Sequence, residues 1–153
     1  MHFRDVKLSN FAAPGAVAAL DLGSRRIGVA VCDLGRVAAY PLGVVERASF
    51  ERDVRAILKL LAGREVAEVV IGLPLLMNAA EGTGAHRART FGQRLAARTG
   101  WNVSFQDERL STREARERIR EARGRVRPDC HLDAQAAAII LQRWLESHDR
   151  ETT

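Results

Sequence analysis

Four acidic residues fall where helix or strand patterning gives no reason for them: Asp21, the neighbours Asp107 and Glu108, and Asp133. Asp21 sits in "ALDLGSRRIGVAVCD", where apolar runs on either side of the turn residues Gly23 and Ser24 imply two short strands with a carboxylate at the end of the first. An ionised carboxylate is costly at a buried strand end unless a hydrogen-bond donor, an arginine or a cation pairs with it. Taken singly, these acids have ordinary explanations. Arg25 and Arg26 are close enough in sequence to give Asp21 a local ion pair, and an acid such as Asp133 in the first turn of a helix gains about 0.3–1 kcal/mol from the helix dipole. Together they suggest more, because three or four converging carboxylates without histidine form an oxygen site for a hard cation such as Mg²⁺ or Mn²⁺. Such a cation neutralises a phosphodiester, lowers the pKa of an attacking water and stabilises the leaving oxygen. Asp21, Glu108 and Asp133 are therefore the candidate metal ligands, and the same three with Asp107 are the candidate catalytic residues. On a strand, Asp107 shares a face with Val103 and Phe105, and Glu108 shares one with Ser104 and Gln106. Only one of the pair can then point into the site, and parity alone leaves open which.

For these acids to meet, the elements that carry them must end together. After the opening two strands, "VAAYPLGVVE" continues the meander as a third. "SFERDVRAILKLLAG" reads as an amphipathic helix with Ser49 as N-cap and Gly63 as terminator. A buried strand "VAEVVIGLP", a helix "GAHRARTFGQRLAART", a strand "WNVSFQDE" and two helices, "STREARERIREARG" and "LDAQAAAIILQRWLES", complete the order. The expected fold class is α/β, a five-stranded mixed sheet with helices on both faces, since a meander that enters right-handed crossovers gives that arrangement. Parallel strands gather their ends at one edge of such a sheet, and a helix packed across it can bring a further carboxylate there. If the last strand lies two positions from the first, a spacing of ~4.8 Å per strand sets Asp21 and the 107–108 pair about 10 Å apart, for side chains to bridge.

The chain has 153 residues, 46% of them hydrophobic, enough for one domain with a real core. We expect that domain to span residues 16–147, with a flexible lead-in over 1–15 and a flexible tail over 148–153. No segment approaches the ~20 apolar residues of a membrane span, and the N-terminus carries no continuous apolar core, which predicts a cytoplasmic protein without a membrane partner. The two cysteines, Cys32 and Cys130, form neither a CxxC pair nor a disulfide framework and are expected to be reduced.

A formal net charge of +5 suggests a polyanionic partner, nucleic acid being the commonest. All but two of the 24 basic residues, Lys7 and Lys59, are arginine; arginine suits bidentate phosphate contacts, although a GC-rich genome would produce the same bias. Between Arg109 and Arg127 eight arginines face three glutamates, a surplus of +5 that equals the excess of the whole chain. Arg109, Arg113, Arg116, Arg120 and Arg123 of this segment, Arg87 of the preceding basic helix, and Arg25 and Arg26 of the first turn are the candidate nucleic-acid contacts; that helix, with Arg87, Arg89, Arg94 and Arg98 and no acid among them, is a second candidate phosphate-tracking surface. Pairing with Glu at i,i+3 and i,i+4 is the competing use for the arginines of "REARERIREAR". The loop "GLPLLMNAAEGTG" is long for an ordinary turn and leads into a helix N-terminus able to bind phosphate.

In order along residues 18 to 146, "LDLGSRRIGVAVCD", "VVIGLPLLMNAAEGTG", "DERLSTREA" and "LDAQAAAIILQRWLE" resemble the motifs of the YqgF/RuvX family. The resemblance implies a ribonuclease H-like fold and a nuclease, a hydrolase that matures the 5′ end of pre-16S ribosomal RNA; some relatives are described instead as Holliday-junction resolvases. It also places the family's acidic positions on Asp21, the Asp107–Glu108 pair and Asp133. Two departures stand out. Where the family usually has Asn, Met, Asp, Gly after "GLP", this chain has Leu76, Met77, Asn78 and Ala79, and where a lysine commonly precedes the last aspartate it has Cys130 and His131. Asp-Leu-Gly-Ser also resembles the first phosphate hairpin of actin-like ATPases, but that reading needs a second lobe and an adenosine-binding glycine motif. A non-catalytic RNA-binding ribosome-assembly factor on the same fold is the other alternative. Homodimerisation and association with a ribosomal subunit are both compatible with the sequence.

Overall fold

A computed structural model describes residues 15–108 and 132–152 of the protein. Five strands form one sheet: β1 (Ala16–Leu22), β2 (Arg26–Cys32), β3 (Ala39–Glu46), β4 (Val66–Leu73) and β5 (Asn102–Asp107), in the order β3-β2-β1-β4-β5. The first three pair antiparallel as a meander, while β1, β4 and β5 run parallel. Helices α1 (Phe50–Leu60) and α2 (Thr83–Thr99) supply the crossovers, and α3 (Leu132–Thr152) lies across the other face. α3 runs on past residue 147, through the stretch set apart from the sequence as a tail. The expected helix over "STREARERIREARG" and the lead-in before Gly15 lie outside the described residues.

Both faces of the sheet are covered, so the central strands read as unbroken apolar runs instead of alternating ones. Strand parity still divides them. Ala16, Ala18 and Leu20 of β1 join Val54 and Ile57 of α1 and Phe91 and Leu95 of α2 in one core layer. Val17 and Ala19 join Val70 of β4 and Ala137, Ile140, Leu141 and Trp144 of α3 in the other. Cys32 belongs to the second layer as a buried free thiol, its Sγ accepting from the Val17 amide at 3.2 Å.

The ends of α1 follow the expected signals. Ser49 takes an extended conformation and accepts from the Arg52 amide, while buried Asp53 accepts from the Ala48 amide at 2.8 Å, so the two side chains cap one helix start. Gly100 closes α2 in the left-handed conformation that glycine adopts without strain. Among the described residues no helix is long and apolar enough to cross a membrane.

Candidate functional site

Continuing the parity of Val17 and Ala19 carries Asp21 onto the α3 face of the sheet, near the C-terminal end of β1. Its neighbours on both sides are glycines. Gly28 of β2 is its direct cross-strand partner, and the parallel register that pairs Leu20 with Ile71 brings Gly72 of β4 alongside. Neither absence of a side chain is incidental. A Cβ on Gly28 would run into the backbone carbonyl of Asp133, so this glycine is what lets the start of α3 settle directly onto β2. A Cβ on Gly72 would collide with Oε2 of Glu108 and lie 2.7 Å from Cδ1 of Ile140, so the Glu108 carboxylate occupies the space above Gly72. The row Gly28, Asp21, Gly72 is thus a floor with one carboxylate rising from it, flanked by Asp133 on one side and Glu108 on the other.

This arrangement settles the parity question at the end of β5. Val103 and Phe105 pack against the α1 and α2 layer, which puts Asp107 on that side, whereas Glu108 lies on the α3 face with Asp21. The Glu108 amide donates to the Leu73 carbonyl at 3.3 Å, which holds the end of β5 against β4 just beyond the last ladder pair, Leu73 with Asp107. Asp133 stands in the first turn of α3.

The electrostatics show how closely these groups interact. Burial first, and the Asp133 charge second, push Asp21 from 3.8 up to about 6. Burial, then the charges of Asp21 and Asp107, push Glu108 from 4.5 up to about 7. Desolvation disfavours the ionised form, and a like charge nearby disfavours it further. The acids do not close into a tight cage, since among the described residues no three His, Cys, Asp or Glu side chains form a group ready to hold a metal ion. β4 separates β1 from β5, and Glu108 reaches Asp21 only across Gly72. What the set does match is the donor chemistry of a hard divalent cation: oxygen ligands alone, partly desolvated, whose mutual repulsion a positive ion relieves.

The sequence-derived basic residues fall in three places. Arg25 is exposed in the turn after β1, its carbonyl accepting from the Arg47 amide at 2.8 Å. Arg26 opens β2 and forms an ion pair with Glu46 at 3.0 Å. Arg87 is exposed on α2, which packs on the sheet face opposite α3. Arg109, Arg113, Arg116, Arg120 and Arg123 lie outside the described residues. Sequence reasoning missed Gly28 and Gly72 as builders of the site. The available signal was a glycine inside each of two otherwise apolar strands, "IGVAV" and "VVIGL", a pattern that marks close approach of another group.

Known proteins resemble the chain in both sequence and fold. The RuvX family, described as Holliday junction resolvase, matches residues 15–147. A protein of Anaeromyxobacter sp. (strain Fw109-5) named "Putative pre-16S rRNA nuclease" is 46% identical over 134 residues, covering 83% of this chain and 93% of the relative. A protein of the same name from Gloeobacter violaceus is 42% identical over 131 residues, covering 86% of this chain and 83% of the relative. Among solved structures, Thermus thermophilus RuvC in complex with a Holliday junction substrate superposes with a TM-score of 0.55 at 18% identity, over 88% of this chain and 95% of that one. The fowlpox virus Holliday junction resolvase does so with a TM-score of 0.54 at 14% identity, over 86% of this chain and 99% of that one. The two structures share the ribonuclease H-like fold expected from the sequence, and the sequence matches, running over most of both partners, show that this chain belongs to the RuvX family.

Proposed function

We propose that the chain is a divalent-cation-dependent nuclease that hydrolyses phosphodiester bonds, with the 5′ end of precursor 16S ribosomal RNA as its substrate. The observation that carries this reading is the placement of two partly buried carboxylates, Asp21 and Glu108, on one face over a floor of glycines, with Asp133 beside them. Like charges meet on this face: Asp133 raises Asp21, and Asp21 and Asp107 raise Glu108, each on top of the cost of burial. Asp21, Glu108 and Asp133 would hold Mg²⁺ or Mn²⁺, which supplies Lewis-acid activation of water and charge neutralisation at the phosphate.

The residues themselves do the positioning. The β1 backbone fixes Asp21, Gly28 lets α3 approach so that Asp133 stands at its side, and Gly72 leaves room for Glu108. Without the cation, burial and the charges of Asp21 and Asp107 raise Glu108 to about 7, so binding a cation through its carboxylate would be coupled to release of a proton. The positive charge of the chain attracts and tracks the nucleic-acid backbone. The relatives' name favours an RNA substrate, and the family description favours branched DNA as the second reading. The experiment that separates them incubates the protein and Mg²⁺ or Mn²⁺ with a precursor 16S RNA fragment and with a four-way DNA junction. Cleavage of the RNA with the junction intact is expected. The reverse preference would assign the resolvase activity, and binding to RNA without cleavage of either would leave an assembly factor.

A further inference from the structure

On the opposite face from the carboxylates, the start of α1 and the first half of α2 enclose an open groove of about 410 Å³. Its floor is aromatic: Phe50 and Phe91 meet edge to face with ring centroids 5.5 Å apart. Its rim is cationic. Arg94 lies 3.9 Å over the Phe50 ring, Arg47 lies 5.8 Å from the Phe91 centroid, and Arg87 also lines the groove. The pairing of these arginines is uneven. Arg89 is bound to Glu81 at 2.7 Å, and Arg98, one turn beyond Arg94 on the same stripe of α2, to Glu51 at 3.3 Å, whereas Arg87 and Arg94 have no carboxylate partner among the described residues. Asp53 is the one acid among the described residues that line the groove, and it is already engaged by the Ala48 amide and by Arg47. A concave surface that keeps two guanidinium groups uncompensated beside aromatic faces is suited to an anion, and to phosphate in particular, which arginine grips in bidentate fashion.

The groove is also tied to the candidate active site. Arg47 donates through Nη1 to the Gly23 carbonyl at 2.8 Å. Gly23 is two residues beyond Asp21, at most about 7 Å of extended chain. α2 likewise begins at the edge where β4 ends, next to the end of β1. We infer that this groove is a second phosphodiester-binding subsite, which grips the substrate strand as it passes over the edge of the sheet from the carboxylates. The inference rests on the reading of the chain as a nuclease. It adds Arg47 to the substrate surface and gives Arg87 and Arg94 of the basic helix a defined contact.

The test is anisotropy of a labelled single-stranded RNA and a labelled four-way DNA junction in EDTA, titrated with salt, with divalent-dependent cleavage assayed in parallel. For the Arg87→Gln, Arg94→Gln double variant, the slope of log affinity against log salt should become shallower by about 1.4–1.8, two contacts at roughly 0.7–0.9 each. Thr90→Glu is the second variant, because it keeps the Arg94 stack while placing a carboxylate three residues from one arginine and four from the other; it should weaken binding in the same sense. A wild-type slope in a Thr90→Glu protein that melts normally overturns the subsite, even if cleavage persists and the nuclease reading stands. Groove-dependent binding without cleavage by the wild type supports the subsite while the nuclease reading fails. Failure of the wild type to bind either nucleic acid overturns both.

Discussion

Asp21 stands open on both sides because of two residues that have no side chain to offer. On a covered sheet, a carboxylate of the central strand would ordinarily sit under a neighbouring side chain, but Gly28 and Gly72 leave it open on both sides. The sequence made Asp21, Glu108 and Asp133 legible as acids without a patterning reason, and parity showed that only one of Asp107 and Glu108 could face the site. It could not say which, because that depends on where α3 lands, a contact between residues more than a hundred positions apart. The structure turns Glu108 toward Asp21, so the pair should separate sharply in an assay. Glu108→Gln is expected to lower divalent-dependent cleavage by at least about a hundredfold, the scale on which removal of one preorganised electrostatic group acts. Asp107→Asn should change it by less than about tenfold, which single-turnover rates with both variants would check. The raised pKa values of Asp21 and Glu108 carry a second consequence. The folded protein keeps protons, up to about 6 and about 7, that the unfolded chain has released above the ordinary values of 3.8 and 4.5. Their contribution to stability is therefore full below about pH 4 and is lost as pH rises through 7. Unfolding midpoints of the metal-free protein should reveal this as a decline over that window on top of other titrations, steeper than in the Asp21→Asn, Glu108→Gln variant. Added Mg²⁺ should raise the midpoint more at pH 8 than at pH 5, since cation and proton compete for the same oxygens.

At the scale of elements, the meander, both crossover helices and α3 were legible because each has a clear period and clear ends. Two features were not. A glycine inside a strand marks a weak point or the close approach of another group without saying which group, and Gly28 is where α3 touches the sheet. Gly28→Ala is expected to destabilise the fold by about 1–3 kcal/mol, as overpacking against rigid backbone does, and to displace Asp133; denaturant unfolding with a parallel cleavage assay would measure both. The loop between β4 and α2 is the second case. The Ala79 amide donates to the Leu76 carbonyl and the Leu76 amide to the Ala80 carbonyl, both at 2.9 Å, forming a turn whose last residue bulges. Ala79 occupies that position with φ of +69°, in the left-handed region that glycine adopts without strain. An L side chain there costs about 1–2 kcal/mol. Ala79→Gly removes the clash but loosens the unfolded chain, so a net gain of up to about 1 kcal/mol in unfolding free energy is expected. The substitution should leave the carboxylate face unchanged.

For the whole molecule, the two faces of one sheet carry different charged groups among the described residues. One face gathers acids beneath α3, and the other carries α1 and α2 with their arginines. The composition made the charge excess and the single core legible, but how charge is shared between faces depends on topology, which sets the ends of β1, β3, β4 and β5 at the same edge. Asp21 stands at the middle of the proposed cation-dependent, phosphodiester-cleaving centre that the acids on one face would form. Its most direct test compares cleavage of precursor 16S RNA by the wild type and by Asp21→Asn across a Mg²⁺ or Mn²⁺ titration, with RNA affinity measured on the same samples. The substitution keeps the shape of the side chain and removes its charge, so affinity in EDTA should stay within about twofold of wild type while the divalent-dependent rate falls at least about a hundredfold. An Asp21→Asn protein that cleaves at the wild-type rate with the same divalent dependence would show that no cleaving centre is built on this carboxylate.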